Sequence, residues 1–208
     1  MRQRLSETLQ AVATDALGRR EAPVEALAGD AEQVARACHE MAVRFHRGGK
    51  LVVFGSGGPS TDAQHIAVEF VHPVIVGKRA LPAISLTGDV ATLTGVATSD
   101  GYAEVFAHQL RHLAVPEDIA LGVSVDGEDP AVLRGMKVAA DLGMLTVALL
   151  GGDGGRLAAS PAVHHALVAR SDDPLVVKEV HVTAYHILWE LVHVFFEQPG
   201  VLGPEVVR

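Results

Sequence analysis

Along the chain, apolar positions fall first into helical and then into strand-like spacing. Leu5, Leu9, Val12 and Leu17 recur at near-helical intervals and predict a helix over 2–17. Ala31, Val34, Ala35, Cys38, Met41, Ala42 and Phe45 form one stripe and predict a second helix over 29–47, after a break holding Gly18, Pro23 and Gly29. The texture then changes. LVVF at 51–54 is a short β-branched run that ends in Gly55-Ser56-Gly57-Gly58-Pro59, and helical spacing resumes from Ser60.

That unit recurs. AISL (83–86) precedes a helix near 89–97, and IALGVS (119–124) precedes Asp126-Gly127 and a helix over about 130–142. TVALL (146–150) runs into Gly151-Gly152-Asp153-Gly154-Gly155, and HHALVA (164–169) leads into a long helix at roughly 174–197. Five short strands alternating with helices specify an α/β class, a doubly wound and mainly parallel sheet. Right-handed crossovers then place ligands at the carboxyl ends of the strands. One domain spans 1–208, with helices over 1–48 ahead of an α/β core at 49–197 and an irregular tail from Pro199.

Composition narrows the function. Apolar residues are 49% of the chain but aromatics only 4%, so Ala, Val and Leu fill the interior, as suits strands covered on both faces. A net charge of −8 without any basic block argues against nucleic acid. No apolar run is long enough to span a bilayer, and MRQRLSETLQ has no signal-peptide core. With one cysteine, Cys38, no internal disulfide forms; the expectation is a cytoplasmic protein that binds no membrane.

Three features carry candidate chemistry. The turn Gly55-Ser56-Gly57-Gly58 lets backbone amides approach an anion at a helix start, or it is a plain tight turn. Ser60 stands where a dinucleotide fingerprint needs Gly, and no Lys-Ser/Thr pair follows, so neither nucleotide motif is completed. His65 and Glu69 share a helix face four residues apart; such a pair binds a divalent metal, moves protons, or is a surface hydrogen bond. The last helix places Lys178, Glu179, His181, His186 and His193 among apolar residues, a polar set that needs partners, a wet site or a subunit interface.

Taken together, GSGGPSTDAQHIAVEF (55–70), LPAISL (81–86), GVSVDGEDPAVLRGMKVAADLGMLTVALLGGDGG (122–155) and KEVHVTAYHILWELV (178–192) resemble the sedoheptulose 7-phosphate isomerase family of SIS domains, in order over about residues 30–195. The resemblance implies a flavodoxin-like fold, a homotetramer built through the N-terminal helices, and ketose–aldose isomerisation of a sugar phosphate through an enediol, usually with zinc. It assigns Glu69 and His186 to proton transfer and His65, Glu69 and His186 to the metal. It also places substrate contacts at Ser56, Gly57, Gly58, Ser99, Asp100, Ser124, Asp126, Asp129 and Lys178.

Several of those positions depart from the family. Its fourth zinc ligand, a Gln, is Lys178 here, and an ammonium is repelled by a dication unless it is neutral or turned away. The family's phosphate loop Ser-Thr-Ser-Gly-Asn-Ser reads Ser124-Val125-Asp126-Gly127-Glu128-Asp129. Each carboxylate a few ångströms from a phosphate costs about 1 kcal/mol in water and about 4 at an effective dielectric of 20. Asp129 before Pro130 also reads as a helix N-cap. These changes set a second expectation beside the enzyme: a non-catalytic SIS protein that senses a ligand or serves as an assembly factor.

Overall fold

The computed structural model describes residues 2–73, 75–198 and 200–202, with side chains from residue 8 onward. The tail expected from Pro199 lies mostly outside the described residues. The chain runs α1 (Arg2–Gly18), α2 (Glu21–Gly29), α3 (Ala31–His46), β1 (Leu51–Gly55), α4 (Gly58–Val71), β2 (Ala83–Ser85) and α5 (Val90–Ser99). A 3-10 turn (Tyr102–Glu104) leads to α6 (Val105–Leu113), β3 (Ile119–Ser124), α7 (Pro130–Asp141), β4 (Leu145–Gly151), α8 (Gly155–Ala158), β5 (His165–Ala169) and α9 (Pro174–Glu197).

All five strands are parallel, in the order β2-β1-β3-β4-β5. This is the doubly wound α/β arrangement expected, and it reverses direction between β1 and β3. At such a switch point the loops leaving two neighbouring strands diverge to opposite faces and open a crevice. Strand alternation divides the core cleanly. Leu51, Val53, Ile119, Leu121, Val123, Leu145, Val147 and Leu149 face a cluster shared with α2, α3, α4 and α9. Val52, Phe54, Ala120, Ala148 and Leu150 face one shared with α5, α6 and α7. The three central strands β1, β3 and β4 are buried on both sides, which is why their sequences read as continuous aliphatic runs rather than alternating ones, whereas the edge strands β2 and β5 are only partly covered.

The N-terminal segment differs from expectation. The break at 18–29 folds as α2, with Pro23 in the first turn, where its missing N–H costs no helical hydrogen bond. Residues Val34, Ala37, Cys38, Met41, Ala42 and Phe45 of α3 are buried in the main core, so this helix is part of the layer over the sheet. On α1, by contrast, Leu9, Val12 and Leu17 are exposed. A bidentate pair from Arg20 to Glu179 (2.6 and 2.8 Å) ties the α1–α2 junction to α9.

At the amino edge of the sheet, Asp118 is 1% exposed and accepts the backbone N–H of Lys50 and of Val115, both at 2.9 Å, and the Lys50 ammonium at 2.5 Å. This carboxylate clasps the starts of β1 and β3 together. We expect Asp118→Ala to lower unfolding free energy by about 3 kcal/mol, because two partly buried N–H groups and an ammonium lose their acceptor. A urea titration followed by circular dichroism reads it, and a loss below about 1 kcal/mol, the net worth of one ordinary hydrogen bond, would refute the clasp.

Candidate active site

The turn after β1 needs its glycines. Gly57 caps α4 at φ +67°, ψ −126°, a conformation closed to residues with a Cβ, and a Cβ on Gly55 would lie 2.8 Å from both Pro59 and the Val123 carbonyl. Pro59 sits in the first turn of α4. The helix then carries Thr61, Asp62, His65 and Glu69 along one face, because residues three and four apart align. Beside it runs α9, about 36 Å long, which presents Lys178, His181 and Tyr185 at the same spacing, with His186 next to Tyr185.

The facing residues meet in two tiers. In the lower tier, one donor atom from each of His65, Glu69 and His186 lies within 4.8 Å of the others. His65 Nε2 is 3.1 Å from Glu69 Oε1, and the His65 and His186 rings are 5.6 Å apart at 86°. Glu69 is the more sheltered, its side chain 15% exposed against 44% for His65. The Tyr185 hydroxyl lies 2.7 Å from His65 Nδ1, and burial pushes this phenol well above its usual range. A cavity of about 530 Å³ opens beside the group, lined by Glu69, Lys78, His186 and Trp189. Two imidazoles and a carboxylate converging on one point match the donor set of a catalytic zinc site with open positions.

In the upper tier, Lys178 Nζ binds Asp62 Oδ1 at 2.6 Å and the Thr61 hydroxyl at 3.1 Å. The ammonium is thus turned toward an anion, which relieves the repulsion expected from its place in the ligand series. His181 is 2% exposed, and burial lowers its pKa; its Nε2 has no partner among the described residues. Asp62, Lys178 and His181 line a cavity of about 230 Å³ with Gly58 and Pro59.

The switch-point crevice adjoins this tier. Ser56, Pro59, Ser124, Asp126, Glu128 and Asp129 line a cavity of about 350 Å³, and the Ser56 hydroxyl is buried without a partner among the described residues. The loop after β3 is closed upon itself. Ser124 Oγ accepts from the Gly127 amide (3.0 Å), Asp126 Oδ1 from the Glu128 amide (2.9 Å), and Asp129 Oδ1 caps α7 through Ala131 and Val132 (2.8 and 2.9 Å). Gly127, at φ +74°, packs on the Gly154 carbonyl, where a side chain has no room.

Glu128 pairs with Arg156, which donates through Nε (2.5 Å) and its backbone amide (2.8 Å) and holds the carboxyl below its usual range. One of the three loop charges is therefore offset, and the electrostatic cost anticipated for the loop is smaller than three free carboxylates imply. Gly57 and Gly58 lie at the head of α4 as expected, both exposed. Ser99 and Asp100 are exposed at the end of α5 and line none of these three cavities.

Asp62, Tyr185 and Arg156 are the contributors that sequence reasoning passed over. Asp62 and Tyr185 sit one turn or one residue from His65 and His186, a spacing that could have flagged them. Arg156 reaches Glu128 from the next crossover, which no local pattern reveals. His193 lies between the Trp189 and Arg79 carbonyls (2.8 and 2.9 Å) and is a structural residue.

The sequence and the fold both have counterparts among known proteins. The SIS domain family matches residues 20–151. A phosphoheptose isomerase of Solidesulfovibrio magneticus is 42% identical over 175 residues, 84% of each chain. One from Aquifex aeolicus is 37% identical over 162 residues, 78% of this chain and 84% of that one. The solved phosphoheptose isomerase of Francisella tularensis superposes with a TM-score of 0.82 at 30% identity, covering 90% of this chain and 98% of the other. The Neisseria gonorrhoeae enzyme gives 0.78 at 27% identity with the same coverage. With the family model matching residues 20–151, and with sequence and fold both shared over most of its length, this chain belongs to the SIS-domain family of phosphoheptose isomerases.

Proposed function

We propose that the chain is a cytoplasmic aldose–ketose isomerase acting on a sugar or sugar phosphate, with Glu69 and His186 as its acid/base pair. The convergence of His65, Glu69 and His186 on one point carries this reading. It is supported by relatives named phosphoheptose isomerase and by an open cavity beside the trio. Isomerisation moves a proton between C1 and C2 and a second between their oxygens. A carboxylate of modest exposure can take the carbon-bound proton, and an imidazole at the cavity rim can serve the oxygen.

His65, Glu69 and His186 would also hold zinc, which as a Lewis acid would stabilise charge on the carbonyl oxygen. Glu69 has an oxygen for each task. Lys178, occupied with Asp62, stands as a substrate clamp in the upper tier rather than as a ligand. Metal analysis and a ketose–aldose assay test this. The protein is expected to retain about one zinc per trio, and Glu69→Gln to lower kcat/KM by about 100-fold or more. A metal-free protein whose Glu69→Gln variant matches wild type on every sugar tried would end the proposal.

The loop after β3 bears on the substrate. Asp126 and Asp129 occupy amides that would otherwise face an anion, and Asp126 leaves a negative charge at the crevice. Asp126→Ser should therefore lower KM for sedoheptulose 7-phosphate by about tenfold, equivalent to 1.4 kcal/mol, while leaving KM for an unphosphorylated ketose unchanged. Equal KM values in both proteins would show that the charge is not felt. The same loop favours a second reading, a non-catalytic ligand sensor or assembly factor. Absence of turnover together with recovery of one stoichiometric partner would bring it forward.

The proposal includes a homotetramer. Its support is the exposed Leu9, Val12 and Leu17 on α1 and an apolar cleft between α2, α3 and α9 lined by Val24, Leu27, Val34, Ile187 and Leu191. Light scattering should give about four times the 21.9 kDa chain mass. A monomer would refute it.

A further inference from the structure

Isomerisation chemistry and sheet packing leave one close contact of the lower tier without a task. Tyr185 is 1% exposed, and its ring meets both imidazoles edge-on, with centroids 5.3 Å from His65 and 4.9 Å from His186. Its hydroxyl is 2.7 Å from His65 Nδ1, while Nε2 of that ring lies 3.1 Å from Glu69. His65 is thus held at both nitrogens. A neutral imidazole carries a single N–H, and only the nitrogen without it can bind a metal.

We propose that Tyr185 is a positioning residue for the metal centre. Its phenol oxygen accepts the Nδ1–H of His65, which directs the Nε2 lone pair to the point shared with Glu69 and His186. The inference rests on the metal reading above and adds to it the group that selects the tautomer. A hydroxyl serves equally as donor or acceptor. Without a cation, the phenol donates to Nδ1 and Nε2–H donates to Glu69; with one, the proton sits on Nδ1 and points at the phenol. No nitrogen of His65 is left unpaired in either state. The ring itself limits rotation of both imidazoles, so the hydroxyl sets the tautomer and the ring sets the angle. Partners of this kind on the distal nitrogen commonly account for tenfold to hundredfold in metal affinity.

Tyr185→Phe keeps the ring and removes the acceptor. Metal-free wild type and variant would be titrated with zinc against a chromogenic chelator, and with cobalt to record its visible absorption. The variant should bind zinc about 10–100-fold more weakly, with an altered cobalt spectrum, while its metal-free urea midpoint stays close to that of wild type. Long-range nitrogen–proton NMR of zinc-loaded wild type, which depends on no variant, should find the His65 proton on Nδ1. Wild type that binds zinc no better than Tyr185→Phe, or that carries its His65 proton on Nε2, overturns the role of Tyr185 and leaves the metal reading intact. Wild type that binds no zinc overturns both.

Discussion

The side-by-side run of α4 and α9 is the constraint on which the site depends. Neither helix carries a complete set of reactive groups. Asp62 and Lys178 at one level, and His65 and Tyr185 at the next, pin the two together by polar contacts 116 and 120 residues apart in the chain. An ion pair this exposed on its lysine side contributes little stability by itself, since solvent screens it. Its value is in register. A slip of one turn would move His186 about 5 Å along the axis and away from Glu69.

That register rests in turn on the sheet. Both helices pack on the same face, over Val53, Leu121, Val123, Val147 and Leu149, with Phe70 and Ile66 on one side and Val177, Val180, Ala184 and Leu188 on the other. Most of this core is aliphatic, with Phe45 stacked on Phe70 and the Tyr185 and Trp189 rings set among it, and the fit depends on their close packing. The crevice between β1 and β3 follows from strand order alone. The upper polar tier adjoins it through Pro59, which lines both the crevice and the cavity beside Asp62 and Lys178.

Much of this was legible from residue order. The five strands, the glycine turn and the pairing of His65 and Glu69 with His186 all follow from short-range pattern and resemblance, because strand burial and helix spacing are local properties. What escaped was of two kinds. The helix α6 goes unseen because Gln109 interrupts its apolar stripe; the side chain is buried yet satisfied by the Leu86 and Val105 carbonyls. The helix α2 hides in a stretch marked by Gly and Pro, whose breaking effect is void in a first turn. Long-range partners escaped as well. The turning of Lys178 to Asp62 and the offset of Glu128 by Arg156 depend on which loops the topology makes neighbours.

The clasp of Asp118 on Lys50 has a bearing on how the chain reaches its native state. The two residues are 68 positions apart, and β1 finds both its partners later in sequence, with no hairpin among the described residues to start the sheet. The central join must therefore be closed against the entropy of a long intervening loop, which makes folding slow relative to proteins of local topology. While that loop is open, the apolar edges of β1 wait uncovered. A carboxylate that captures an ammonium and two amides in one place secures that join in the native sheet, at the mouth of its two central strands.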